Sequence, residues 1–304
     1  MKKTTIAVVI LHYNDFEMTR QYIENLRKLK WNDVTHQFII VDNNSPDGSG
    51  VELYEYFKAD ADTSVILLSE NIGFARGNNK GIVFAKDELD ADLIVVSNND
   101  IDVKTKDFPR LLIREYAASN FAVYGPDIYS LSKKMHQNPM RQSPMNFDDV
   151  NNKIRKIDRT LPVLHILNKM GIYDQIKSLK NKIKKKKDNS PLESTARVEG
   201  CVLHGAFFVL SKEYLRMYPE GLFEGTFLYM EEDILAYRCN LKRLKMVYDP
   251  LVQVIHYDGV SSMKIAGNRC MKFIREMYET RKSCEAYIEY MKNNKVQFTR
   301  DYTG

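Results

Sequence analysis

The sequence predicts an α/β protein with a mostly parallel central sheet and helices on both faces. Three observations point there. Short apolar runs rich in β-branched residues recur at 6–11, 38–41, 65–68 and 93–96. Segments of helical length separate them, as parallel strands require. Each run ends in a polar cluster, and open α/β sheets place their ligand crevice at the carboxyl ends of their strands.

The elements follow in order. Residues 16–29 put Met18, Tyr22, Leu26 and Leu29 at near-helical spacing, 51–57 predicts a short helix, and 74–86 a longer one. A helix over 107–119 and a strand over 121–124 continue the pattern, which lapses between 129 and 195. Residues 197–210 resume as strand, 231–240 as helix, and 246–248 and 252–256 as short strands. An amphipathic helix over 268–293 follows, with Phe273, Met277, Tyr287 and Tyr290 on its packing positions.

The chain has 304 residues, 44% of them hydrophobic, enough for one large α/β domain with an appendage. Its four cysteines form no CxxC pair and fit thiols of a reducing compartment. Met1-Lys2-Lys3 and the apolar residues after them imitate a signal peptide, but the run stops at His12 without a small-residue cleavage site. No run is long enough to span a membrane, so a cytoplasmic protein, peripheral on the inner membrane face, is expected. Net charge is +5, unevenly spread. Residues 151–187 hold 12 Lys or Arg against Asp158 and Asp174, a net +10, leaving −5 for the rest.

Asn98-Asn99-Asp100-Ile101-Asp102 follows the fourth run. Asp100 and Asp102 offer oxygen ligands to a hard divalent cation, and a metal so held keeps positions open for substrate phosphates. The plainer reading is a turn and helix cap. At the other strand ends, Tyr13 offers a ring for a base and Asp42 an acceptor for a ring N–H. Gly73 and Gly77 permit close backbone approach, and Arg76 adds charge beside a helix N-terminus suited to phosphate. No GxGxxG or GxxxxGK[ST] occurs, against a dinucleotide oxidoreductase or a P-loop NTPase. Glu231-Glu232-Asp233 opens a predicted helix, either for the macrodipole or as a general base beside a metal–phosphate site. Phe223, Phe227 and Tyr229 precede it, either to wall off water or as an apolar platform for a sugar ring. His256, at a strand end, is a core histidine or a third metal ligand beside Asp100 and Asp102.

The order of these segments resembles the inverting family-two glycosyltransferases with the GT-A (nucleotide-diphospho-sugar transferase) fold, especially the bacterial rhamnosyltransferase-like branch of surface polysaccharide synthesis. The resemblance covers residues 5–125 and 198–262. It is carried by Val-Val-Ile-Leu-His-Tyr-Asn, Ile-Val-Asp-Asn-Asn-Ser, Glu-Asn-Ile-Gly-Phe-Ala-Arg-Gly-Asn-Asn and Ser-Asn-Asn-Asp. Gly-Ala-Phe-Phe-Val-Leu, Phe-Leu-Tyr-Met-Glu-Glu-Asp and Val-Ile-His-Tyr-Asp-Gly-Val-Ser complete it. It implies that Tyr13, Asn14 and Asp42 hold the donor's nucleoside, and that Asn71, Gly73, Phe74 and Asn78 line the ribose–diphosphate side. Asn99 joins the donor-binding residues. Asp100 matches the metal-binding aspartate, with His256 as partner and Asp102 as an extra ligand; Asn98 stands where many relatives have an aspartate. The base is Glu232 when Tyr229 and Glu231 are aligned, or Asp233 if an aspartate is required. Gly205, Tyr229 and Glu231 fall on the acceptor side.

The chain is expected to divide into four segments: a nucleotide-sugar-binding half (1–128), a basic amphipathic helical insertion (129–196), an acceptor half (197–262) and a C-terminal helix (263–304). The expected reaction moves a sugar, rhamnose or a hexose, from a nucleotide diphosphate donor to a hydroxyl of a lipid-linked or growing saccharide, with Mg²⁺ or Mn²⁺. A nucleotidyltransferase acting on sugar phosphates and a non-catalytic scaffold of polysaccharide assembly are the rivals. In the insertion, Ile172, Ile176, Leu179 and Ile183 form one apolar stripe, and Ile157, Leu161, Leu164 and Leu167 another. With Lys184 and Lys185 they predict docking on an anionic membrane surface, or else a helical hairpin packed on the catalytic domain. Few aromatics interleave the lysines, against nucleic-acid binding.

Overall fold

The computed structural model describes residues 3–32, 34–183, 195–258 and 268–294. The first part is a run of βα units: β1 (Thr4–His12), α1 (Phe16–Arg27), β2 (Val34–Asp42), α2 (Ser49–Phe57), β3 (Thr63–Leu67), α3 (Phe74–Asp87) and β4 (Leu93–Asn98). These strands pair in parallel in the order β3-β2-β1-β4. His12 lies opposite Asp42, Asp42 opposite Leu67, and Leu11 opposite Asn98. The four strands therefore finish level, and their polar tails leave the sheet at one edge.

Strand alternation divides the core. Ile6, Val8 and Ile10 face Tyr22, Ile23 and Leu26 of α1, Leu53 and Phe57 of α2, and Phe108 and Leu112 of α4 (Phe108–Ser119). Ala7 and Val9 face Ala75, Ile82 and Ala85 of α3. The same second layer takes Tyr214 of α7 (Lys212–Met217) and Leu235, Ala236 and Cys239 of α8 (Glu231–Leu241).

Beyond β4 the sheet takes in antiparallel strands. β9 (Phe207–Ser211) runs antiparallel to β4 and to β6 (Val123–Ser130). β10 (Met246–His256) is parallel to β6 and carries β5 (Ile101–Val103) antiparallel on its far side. The strand expected over 197–210 is broken into β8 (Val198–Glu199), which pairs with β10, and β9, with residues 200–206 between them outside any strand. Conversely, the two strands expected near 246–256 are one, with an irregular register between Asp249 and Gln253, where Pro250 has no N–H for the ladder.

The segment after residue 128 begins in the sheet, since β7 (Met135–His136) pairs with β6. It continues as α5 (Phe147–Lys169), closed at its start by a capping box of Asn146 and Asp149, and α6 (Tyr173–Ile183). Ile157, Leu161 and Leu164 do not form an exposed stripe. They pack with Cys270 and Ile274 of α9 (Arg269–Asn293), and Tyr287 and Met291 join Val150 with Met230 and Ile234. The α5 stripe is thus core, and packing carries the helix through Pro162. Among the described residues, no helix is long and apolar enough to cross a membrane.

Candidate active site

The level strand ends of the first half build one wall. His12 is fully buried, with Nδ1 2.7 Å from Thr19 Oγ1 and Nε2 2.8 Å from Ser49 Oγ. Burial lowers its pKa against the opposing pull of Asp42, Asp47 and Asp15. Tyr13 beside it is 37% exposed. Asn14 is left-handed (φ 65°), and its N–H donates to Ser45 Oγ (2.8 Å). Asp42 is buried and accepts from Ser45 N (3.2 Å) and Ser45 Oγ (2.5 Å). Its carboxylate rests on Gly50, where a side chain would collide with it.

Asn43 links two of these strand ends, a role not expected from the sequence. Its Nδ2 donates to Asn71 Oδ1 (3.0 Å) and Gly73 O (3.2 Å), and its Oδ1 accepts from Ile72 N (3.0 Å). Gly73 is left-handed (φ 87°), and a Cβ there would lie 2.5 Å from Phe227 O. Phe74 N donates to that same oxygen (2.8 Å). Asn78 is buried; its Nδ2 donates to Phe74 O (2.9 Å), and its Oδ1 has no partner among the described residues. Asn79 closes the seam, donating to Leu222 O (2.9 Å) and accepting from Leu222 N (2.7 Å). The loop after β3 is therefore sewn to the segment that leads into the acidic helix.

Asp100 and His256, each 6% exposed, meet at the edge, with Asp100 Oδ1 3.3 Å from His256 Nε2. His256 Nδ1 lies 2.8 Å from Gln137 Oε1. With that oxygen as acceptor the ring proton sits on Nδ1, and Nε2 turns a lone pair toward the carboxylate. Asp100 Oδ1 is buried without a hydrogen-bond partner among the described residues. Two facing electron-pair donors in a dry place fit a shared cation, and one carboxylate with one imidazole suits an ion of the Mn²⁺ kind better than the harder Mg²⁺. Asp102 does not join them: it stands in β5 and its carboxylate is bound to Lys104. Asn99 lines a cavity of about 300 Å³ with Asp100, and its Nδ2 donates to Thr19 Oγ1 (2.9 Å). Among the described residues, no group of three or more His, Cys, Asp and Glu gathers as a metal site.

The three acids open α8 behind Tyr229 (φ 76°) and Met230 (φ 72°), both left-handed and strained for such side chains. Ser283 Oγ, donating to Leu228 O (2.7 Å), and the Phe74–Phe227 bond hold this kink. Successive side chains on a helix diverge by about 100°, and the acids part accordingly. Asp233, its side chain 5% exposed, accepts from Met145 N (2.8 Å) and Arg141 Nη2 (2.5 Å), tying α8 to the approach to α5. Glu231 accepts from Thr226 Oγ1 (3.2 Å); burial, then the charge of Glu232, pushes its pKa up to about 8. Glu232 accepts from Gly205 N (3.3 Å), and burial raises its pKa. A Cβ at Gly205 would lie 2.9 Å from Glu232 Oε1, so glycine makes room for the carboxylate.

Strand direction decides why Gly205 is there. β9 is antiparallel to β4, with Phe207 opposite Ser97, so its start lies where β4 ends. The turn at 204–206 thus reaches the same edge, and Asn98 N donates to Ala206 O (2.9 Å). At this turn the His204 ring meets His256 edge to face at 5.7 Å, and Gly205 N donates to Glu232. The Asp100–His256 pair and the acid thus both adjoin one turn, although Asp100 and His256 lie 156 positions apart in the chain.

The profile of Glycosyl transferase family 2 matches residues 7–178. The chain belongs to this family. Over 259 residues it is 21% identical to the low-salt glycan biosynthesis hexosyltransferase Agl10 of Haloferax volcanii, covering 85% of this chain and 69% of that one. The crystal structure of S. aureus TarS 1–349 superposes at TM-score 0.53 with 12% identity, covering 98% of this chain and 73% of that one. The same TarS segment in complex with UDP-GlcNAc gives TM-score 0.52 at 11% identity, covering 98% and 74%. That likeness establishes the GT-A fold.

In this family 2 transferase, Arg76, Thr226, Phe227, Glu279 and Lys282 line a cleft of about 380 Å³, and its Thr226 is the residue that donates to Glu231. Phe227 is 45% exposed there. Lys184 and Lys185, assigned to a membrane surface, lie outside the described residues. His204, like Asn43, is a residue at this edge that the sequence did not single out. Its sign in the sequence is a polar His-Gly pair interrupting an apolar run. His204 Nδ1 accepts from Ala206 N (3.1 Å); burial, then His256, pushes its pKa down to about 3, so the ring is neutral.

Proposed function

We propose that this transferase moves a hexose, or a deoxyhexose such as rhamnose, from a nucleoside diphosphate to a hydroxyl of a lipid-linked or growing saccharide, with inversion. One observation carries this: the Asp100–His256 pair and the Glu232 carboxylate meet at the 204–206 turn, through His204 and Gly205. Tyr13, Asn14 and Asp42 receive the nucleoside, and the loop from Asn71 to Asn78 the ribose and diphosphate. Asp100 and His256 would hold Mg²⁺ or Mn²⁺, which when bound supplies positive charge to the departing diphosphate. Glu232 is the base, because both oxygens of Asp233 are engaged by Arg141 and Met145. The acceptor hydroxyl gives its proton to Glu232 as its oxygen bonds the anomeric carbon; the bond to phosphate breaks on the opposite face, and the nucleoside diphosphate leaves. The cleft beside Glu231, with the Phe227 ring in it, suits the acceptor saccharide.

The acceptor is placed at a membrane. Val163, Ile166 and Met170, spaced along one side of α5, are 52%, 58% and 62% exposed, away from the side packed on α9. Exposed Arg159, Lys169 and Lys177 accompany them, and each cation near an anionic surface contributes ~1 kcal/mol. TarS, which shares the fold, has been crystallised with UDP-GlcNAc, in keeping with a nucleotide-sugar donor.

The test is a panel of nucleotide sugars screened for thermal stabilisation with Mn²⁺ or Mg²⁺. The stabilising donor is then incubated with saccharide acceptors, and the product's anomeric configuration is read by NMR. Inverted product from the wild type and almost none from Glu232→Gln is expected. A retained configuration, or full turnover by Glu232→Gln, overturns the mechanism.

A further inference from the structure

We propose that His204 binds the sugar-bearing phosphate of the donor through its Nε2–H, an assignment that rests on the transferase function above. The turn that carries it is pinned on both sides: His204 N donates to Asn138 Oδ1 (2.7 Å), and Ala206 O accepts from Asn98 N (2.9 Å). The ring is oriented from within the turn, because Nδ1 accepts from Ala206 N (3.1 Å). An imidazole nitrogen that accepts an N–H carries no proton, so the ring's single proton is on Nε2. Nε2 has no hydrogen-bond partner among the described residues, and the side chain is only partly buried.

Position then selects what this N–H meets. The ring abuts His256, whose Nε2 faces Asp100, while the next residue, Gly205, is bound to Glu232. His204 thus stands between the groups placed on the leaving diphosphate and the group placed on the attacking hydroxyl. In the donor, what lies between those two is the anomeric carbon and the phosphate attached to it. A protonated Nε2 cannot ligate a cation, but it complements a phosphate oxygen. That oxygen gains charge as its bond to the sugar breaks, so a donor already aimed at it binds more strongly in the transition state. No proton moves; His204 holds the leaving group.

Two substitutions separate this role from a structural one. His204→Asn keeps an oxygen near the Nδ1 position for Ala206 N but removes the Nε2 donor. His204→Gln returns an N–H near the Nε2 position. Full-length proteins are titrated calorimetrically with UDP, dTDP and GDP, and with UMP, dTMP and GMP, in Mn²⁺. For the nucleotide that the wild type binds, His204→Asn should weaken the diphosphate roughly tenfold, as loss of one bond to a charged group implies. Its monophosphate should stay within about twofold, and His204→Gln should recover much of the loss. In turnover, His204→Asn should lower kcat about 10²–10³-fold, as removal of one preorganised donor does. Unchanged diphosphate binding, or equal losses for mono- and diphosphate in both variants, would overturn the assignment while leaving the transferase function intact. A wild type that binds none of the three diphosphates sinks that function, and this assignment with it.

Discussion

The two halves of the sheet bring residues to the same edge by opposite routes. In β1 to β4 the strands run one way and finish level, so each site residue follows its strand in the sequence, as Tyr13, Asp42, Asn71 and Asp100 do. In the second half β9 runs backward, and His204 and Gly205 reach the edge by preceding their strand. The comparison teaches that a motif's side of a strand has no fixed meaning until the strand's direction is known.

The largest effect should fall on the second half. Glu232→Gln removes the proposed base and should lower kcat about 10²–10⁴-fold while donor affinity, by calorimetry, stays within about twofold. Asp233→Asn, its neighbour, should chiefly lower Tm, costing about 1–3 kcal/mol from the buried contact with Arg141 and Met145. If the two variants exchanged phenotypes, the division of labour at the start of α8 would be wrong.

For the first half, Asp100→Asn should make nucleoside diphosphate binding insensitive to Mn²⁺ and to chelator. Persisting metal dependence would show that Asp100 is no ligand. Gly73→Ala probes the seam between the halves. A Cβ facing Phe227 O, on a left-handed residue, should cost about 1–3 kcal/mol in denaturant unfolding and weaken donor binding as the loop shifts.

A smaller, pH-dependent effect belongs to Glu231. Its carboxyl titrates near 4.5 when unfolded and at about 8 in the folded protein. The folded state therefore keeps a proton that the unfolded chain releases. The associated stability is complete below 4.5 and is lost as pH rises toward about 8. Glu231→Gln should flatten the fall of Tm across that window; an unchanged slope would place the proton elsewhere. Smallest is the single change Ile166→Ser. It should weaken binding to anionic vesicles about fivefold with Tm nearly unchanged, since one exposed side chain contributes on the order of 1 kcal/mol of burial.

Much of this was legible in the residues themselves. Apolar runs of the right length marked β1 to β4, and strand ends marked Asp42 and Asp100, because burial and hydrogen bonding act locally along parallel βα units. The α5 stripe was legible as a stripe but not as core, since amphipathicity states that a face must be covered and not by what; α9 supplies the cover. Asp102 and Asp100 look equivalent in sequence, yet one is bound to Lys104 at the sheet edge and the other lies against His256.

By itself, then, the chain determined the alternation of strands and helices, the family, and the residue types from which a donor site is made. Those depend on periodicity, turn chemistry and composition, which are properties of neighbours. Only the tertiary structure decided which of three consecutive acids meets the 204–206 turn, that Asn43 and Gly73 sew the halves together, and that His204 stands beside His256. Those depend on strand direction and register, which are set by contacts between residues far apart in the chain and so leave no local trace.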